Sequence, residues 1–110
     1  GSLAEAAVQG MLCLGGRDRP VAGKIDRLAI GAREILIVDY KTGRPPLPGS
    51  APDPAHVAQL ALYRALIASL YPGRIVRAAL LHVGAPLMVE IDADAMDATL
   101  RRIDAACRAS

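Results

Sequence analysis

Phenylalanine and tryptophan are missing from this chain, and three tyrosines are its only aromatic residues. The apolar core must therefore be built from Leu, Ile, Val and Ala, and a platform on which nucleic-acid bases stack is poorly supported. Cysteine is scarce too. Cys13 and Cys107 stand near opposite ends with no CxxC or Cys/His spacing, which argues against a zinc or iron–sulfur site and for two reduced, buried small hydrophobes. No apolar run approaches the roughly 20 residues that cross a bilayer, and no signal peptide is visible, so a soluble intracellular chain is expected. A formal charge of +2 permits an anionic partner without announcing one. The patterns of a Ser/His/Asp or Cys/His nucleophile, a P-loop and a dinucleotide fingerprint are all absent.

What is present suits a single domain: 110 residues, of which 53% are apolar. The chain opens on Gly-Ser without Met, which is expected of a tag remnant ahead of a piece cut from a longer protein. "AAVQGMLCLGG" reads as a strand closed by Gly15-Gly16, and "RPVAGKIDRLAIG" as a second, with Gly23 marking a bulge or a close backbone approach. "REILIVDYKT" is the strongest strand, and "GRPPLPGSAP" is a loop. A helix follows, capped by Asp53, opened by Pro54 and closed before Pro72-Gly73. "RIVRAALLHV" and "LMVEI" are two further strands. Asp92 caps a last helix with Met96, Leu100, Ile103 and Cys107 along one stripe. The order βββαββα predicts an α+β fold, a mixed sheet with helices packed on it.

The third strand ends in charge before it ends in Gly and Pro. Asp39 and Lys41 share one face because side chains alternate along a strand, and Tyr40 points away. If Ile30 pairs with Ile35 around a short loop, Asp26 falls opposite Asp39 on the same face and Lys24 opposite Lys41. Carboxylates about 5 Å apart across a sheet repel each other. A divalent cation between oxygen ligands would quench that repulsion. The other reading is an ordinary solvated strand end, with Asp26 paired to Arg27 or Arg19. A bulge at Gly23 or a loop of odd length would send the two acids to opposite faces.

"GKIDRL" followed by "ILIVDYKTG" and, on the helix, "QLALY" resembles the nuclease signature of the PD-(D/E)xK superfamily, with wording similar to the RecB/AddA branch, the C-terminal nuclease domains of bacterial helicase–nucleases. The resemblance covers roughly residues 20–65 and implies a restriction-endonuclease-like core. It implies a metal-dependent exonuclease that hydrolyses DNA phosphodiesters during double-strand break processing and recombinational repair. Asp26 and Asp39, with the backbone carbonyl of Tyr40, would ligate Mg²⁺ or Mn²⁺. Lys41 would orient the attacking water or stabilise charge on the phosphorane. Gln59 and Tyr63, one helical turn apart, would support Lys41 or a phosphate; without the motif they read as a solvated position and a core aromatic. Implied partners are linear duplex ends or single strands of DNA, an AddB-like subunit and the parent's own helicase domains, in the bacterial cytoplasm with no membrane.

One departure matters. The branch usually draws a further metal ligand, commonly His, from a helix upstream. Here Glu5 is the only acid before Asp18, so either Glu5 serves or the ligand belongs to polypeptide beyond this sequence. A Cas4-like nuclease is disfavoured by the missing cysteine cluster, and a non-catalytic DNA-binding or docking module on the same fold is the alternative. His56, in the helix's first turn, reads as solvated with a phosphate contact as the alternative, and His82 reads as a satisfied core or edge residue. Arg17, Arg19, Arg44 and Arg64 are candidates for a DNA track, a solvated face being the ordinary expectation for each.

Overall fold

The strand that carries the charged pair, β5 (Glu34–Lys41), sits at the centre of a five-stranded sheet ordered β1-β4-β5-β6-β7. A separate two-stranded sheet is formed by β2 (Ala6–Leu14) and β3 (Arg17–Ile25). The computed structural model describes residues 2–109, so Gly1, the first residue of the expected tag remnant, lies outside the described residues. Beside β5 run β4 (Arg27–Ile30), antiparallel, and β6 (Ile75–His82), parallel. The parallel neighbour is reached through helix α1 (Pro54–Leu70), because parallel strands need a crossover connection. The edges are β1 (Ser2–Leu3) beside β4 and β7 (Leu87–Ile91) beside β6. Helix α2 (Ala93–Ala109) closes the order.

Ile30 does pair with Ile35, and the pairing runs unbroken to Arg27 opposite Val38. There it stops. The single strand expected over "RPVAGKIDRLAIG" is two strands in two sheets, parted by a bend at Asp26. The physical reason is parity: Ile25 and Leu28 are both buried in one core cluster, yet an odd spacing puts them on opposite faces of a continuous strand. The bend turns both inward. Lys24 consequently pairs with Ala7 in the hairpin, not with Lys41, and reaches Glu5 at 3.5 Å.

The β2–β3 hairpin keeps an uninterrupted register from Ala6–Ile25 to Leu14–Arg17, so Gly23 makes no bulge. Its turn uses Gly15 and Gly16, both at positive φ (65° and 79°), the combination that twists a tight hairpin in the direction of its strands. The tip is tied to α2 where the Gly15 amide donates to Asp104 Oδ1 at 2.7 Å. Cys13 falls on the outward parity of β2 and is exposed, which corrects its expected burial; Cys107 is half-buried.

Helix α1 starts as its sequence dictates. Asp53 accepts from the Ala55 amide at 2.9 Å with Pro54 in the first turn. It buries Leu60, Ala61, Tyr63, Leu66 and Ile67 against Ile35, Ile37, Ala78 and Leu80 of the sheet and Ala6 and Val8 of the hairpin. Helix α2 adds Met96 to the same core. Arg64 and Arg19 are taken up structurally: Arg64 donates to the Val76 carbonyl and pairs with Asp97, and Arg19 donates to the Leu14 carbonyl. Among the described residues no helix is long and apolar enough to cross a membrane.

Leu60 is fully buried, so Leu60→Ala is expected to cost about 2–5 kcal/mol, through lost contacts and the cavity left behind. Asp53→Ala is expected to cost about 1 kcal/mol, the worth of one cap. Urea unfolding of both variants checks this, and equal losses would show that α1 is held by its cap rather than by its buried face.

Candidate functional site

Where β4 breaks away, β5 is left with one edge open, and the sequence fills that gap with Asp26. Asp26 Oδ2 accepts a hydrogen bond from the Tyr40 amide at 2.7 Å, standing in for the ladder partner that β4 no longer provides. The amide and carbonyl of a strand residue face the same neighbour, so the Tyr40 carbonyl also points to the vacated edge. The Tyr40 side chain turns to the other face and is 39% exposed.

Asp39 is 6% exposed at the end of a core strand. Burial pushes its carboxyl above the usual carboxylate range; Lys41 opposes that shift, and the nearby Asp26 carboxylate adds to it. The two acids expected to converge therefore do bear on one another. Lys41 Nζ lies 2.6 Å from Asp39 Oδ2. That buried oxygen accepts no well-directed hydrogen bond, so the ammonium meets it as a close ion contact from an off-axis direction. Lys41 is itself mostly covered, its side chain 21% exposed.

From Lys41 a polar chain runs into α1. Lys41 Nζ donates to Gln59 Oε1 at 3.4 Å, and Gln59 Nε2 donates to the Tyr63 hydroxyl at 3.4 Å. Tyr63 is buried, with its ring tip lying on Gly23 of the hairpin. A Cβ at Gly23 would stand 2.8 Å from Cε1 and Cζ of Tyr63, and closer still to its hydroxyl, so only glycine leaves the phenol its seat. Gly23 is thus the close backbone approach that its place in the strand suggested.

The oxygen-only donors, two carboxylates and a strand-edge carbonyl, suit a hard divalent cation that keeps several waters. Among the described residues no group of three or more His, Cys, Asp or Glu side chains gathers, so these residues bring two carboxylates together here and not a full cage. Glu5 belongs to the exposed Lys24 pair and joins no such group.

The remaining candidates divide. Arg44 lines a cleft beside the strand end with His56 and His82. His82 is 4% exposed, with neither ring nitrogen hydrogen-bonded, so the satisfied core histidine expected from its apolar strand is buried but not satisfied.

The chain matches the family model of the PD-(D/E)XK nuclease superfamily over residues 3–109. A search of curated proteins finds no match. Among solved structures, the crystal structure of SSO0001 is similar in fold, with a TM-score of 0.54 and 16% identity over 91% of this chain. The match covers 46% of that structure's own chain.

Two outcomes test the geometry. Gly23→Ala and Gly10→Ala both intrude on α1, the second only against the flexible tip of Leu66, and each is expected to cost about 1–3 kcal/mol. Only Gly23→Ala should also shift the NMR resonances of the Lys41 side chain; equal behaviour of the two would break the link from Gly23 to Lys41. For Asp39, the raised pKa means that the native state binds its proton more tightly than the unfolded chain does. Stability therefore falls as pH rises from the ordinary carboxylate range through the raised value. In metal-free buffer at neutral pH, Asp39→Asn should melt higher than the wild type, and a lower melting temperature would contradict the assignment.

Proposed function

Because the chain belongs to the PD-(D/E)XK nuclease superfamily, we propose that it hydrolyses DNA phosphodiesters with a divalent metal at the open edge of β5. The observation that carries this reading is the convergence of Asp26, Asp39 and Lys41 on the one stretch of strand from which the neighbouring strand has withdrawn. A buried carboxylate with a second, half-buried one beside it is costly to a fold, and a site for a doubly charged ion gives their proximity a purpose.

In this reading Asp26 and Asp39, with the Tyr40 carbonyl, hold Mg²⁺ or Mn²⁺. The bound ion supplies Lewis acidity toward a phosphate oxygen and lowers the pKa of water. The protein's own residues do the rest. Lys41 points its ammonium to where negative charge grows on the phosphate, a stabilisation worth more in a half-buried site than in water. Gln59 takes one Lys41 hydrogen and is itself held by Tyr63, so the amine is aimed before substrate arrives. Asp26 keeps Tyr40 in place and thereby fixes the backbone between the other two catalytic groups.

The wording of the three motifs favours the nuclease domain of an AddA-like helicase–nuclease that processes double-strand breaks with an AddB-like partner in a bacterial cytoplasm. On that reading residues 1–110 form one domain of a longer parent, and a further metal ligand comes from outside this sequence. An exposed Arg44 beside the site would add to DNA affinity.

The experiment is a pair of measurements. Mg²⁺ or Mn²⁺ should raise the melting temperature of the wild type and not of Asp39→Ala; superimposable titrations would remove the metal site. Degradation of linear duplex DNA should fall roughly 100- to 1,000-fold in Lys41→Ala while metal-induced stabilisation persists. DNA binding without cleavage by the wild type would instead favour a docking module on the same fold.

A further inference from the structure

In the parallel pairing of β5 and β6, His82 lies beside Lys41 on the neighbouring strand, roughly 4.8 Å across the sheet and on the same face. Its ring forms part of the wall of a cleft of about 490 Å³, shared with Arg44, Asp53 and His56. Three of these four side chains carry N–H donors, and they come from three separate elements: the loop after β5, the first turn of α1 and the end of β6. The only acid, Asp53, is committed to the Ala55 amide as the helix cap.

His82 is 4% exposed, and both Nδ1 and Nε2 lack a hydrogen-bond partner. A neutral imidazole carries one donor and one acceptor, and leaving both unpaired in a buried place disfavours the fold unless something else meets them. Nothing in α1 supplies that partner from its backbone, since the amides of Ala55, His56 and Val57 are already used by Asp53. Sharing the cleft with it are Arg44, Pro46, Ala51 and Pro52, from the proline-rich loop after β5. Gly43 and Gly49 in this loop have no neighbour within 4 Å of where a Cβ would sit, so the loop can draw back without breaking a packed contact at either glycine.

The position, the charge and the unpaired ring point to the same kind of ligand. We propose that this cleft is a phosphate-binding subsite, seating a backbone phosphate of the nucleic-acid strand next to the phosphate that faces Lys41. Arg44 and His82 are its donors, and His56 stands at its rim. The loop carrying Arg44 moves with the phosphate and uncovers the His82 ring as it does so. The subsite rests on the nuclease reading for its ligand, though not for its geometry.

The test uses inorganic phosphate and a single-stranded oligonucleotide as probes, with EDTA present so that no cleavage intervenes. The ring resonances of His82 and His56 are followed by NMR, and the variants are Arg44→Ala and His82→Leu. Saturable phosphate-dependent shifts are expected in the wild type, with affinity for both probes lowered roughly tenfold in each variant. His82→Leu should at the same time melt higher than the wild type, because it removes an unpaired buried group, and so weak binding cannot be put down to misfolding. Metal-dependent DNA cleavage by the wild type is measured in parallel. Cleavage without any saturable shift overturns the subsite and leaves the nuclease reading intact, as does affinity unchanged in both variants. Saturable binding that both variants weaken supports the subsite even if the chain fails to cut.

Discussion

A carboxylate that is 6% exposed needs its surroundings arranged about it, and in this fold Asp39 is that group. Its strand must be central enough to be buried, because Ile35 and Ile37 are fully covered on the same face. Yet the strand must also reach a place where a charge can be met. The fold reconciles these demands by withdrawing a neighbour: β4 stops, the backbone bends at Asp26, and the vacated edge receives a side chain in place of a strand. The same bend brings a second negative charge to the first. Lys41 then sits against Asp39 as its counter-ion, and its own spare donor is directed into α1. An acid pair with one amine is left short of positive charge, which is the electrostatic basis of the proposed cation site.

The rest of the architecture holds this strand end still. Helix α1 is the crossover between β5 and β6, so the element that makes the sheet parallel also delivers Gln59 and Tyr63 to Lys41. The hairpin, which belongs to another sheet, packs on the opposite flank of that helix and receives the Tyr63 ring at Gly23. Three parts of the molecule thus meet around one amine. The chain belongs to the PD-(D/E)XK nuclease superfamily and is similar in fold to SSO0001, while its match covers only 46% of that structure's length.

Much of this could be read from the residues because the relevant forces are local. The pairing of Ile30 with Ile35 follows from a short loop between two apolar runs, and the α1 start from Asp53-Pro54. Other features depend on tertiary choices. Whether Ile25 and Leu28 share a core is decided by what packs on them, so the bend at Asp26 could be inferred only by insisting that both be inward. The mistaken pairing of Lys24 with Lys41 followed from assuming a straight strand. Cys13 was a matter of parity within β2 and could have been assigned outward by counting from Val8. His82 escaped because a lone histidine closing an apolar strand carries no sign of whether its nitrogens will find partners.

The contact of Tyr63 with Gly23 makes the docking of the hairpin and the aim of the lysine a single mechanical variable. A hairpin that lifts by the width of a methyl group would free the phenol, and the amine would lose its bearing with it. On the proposed nuclease reading, the site therefore depends on how firmly a separate two-stranded sheet stays seated.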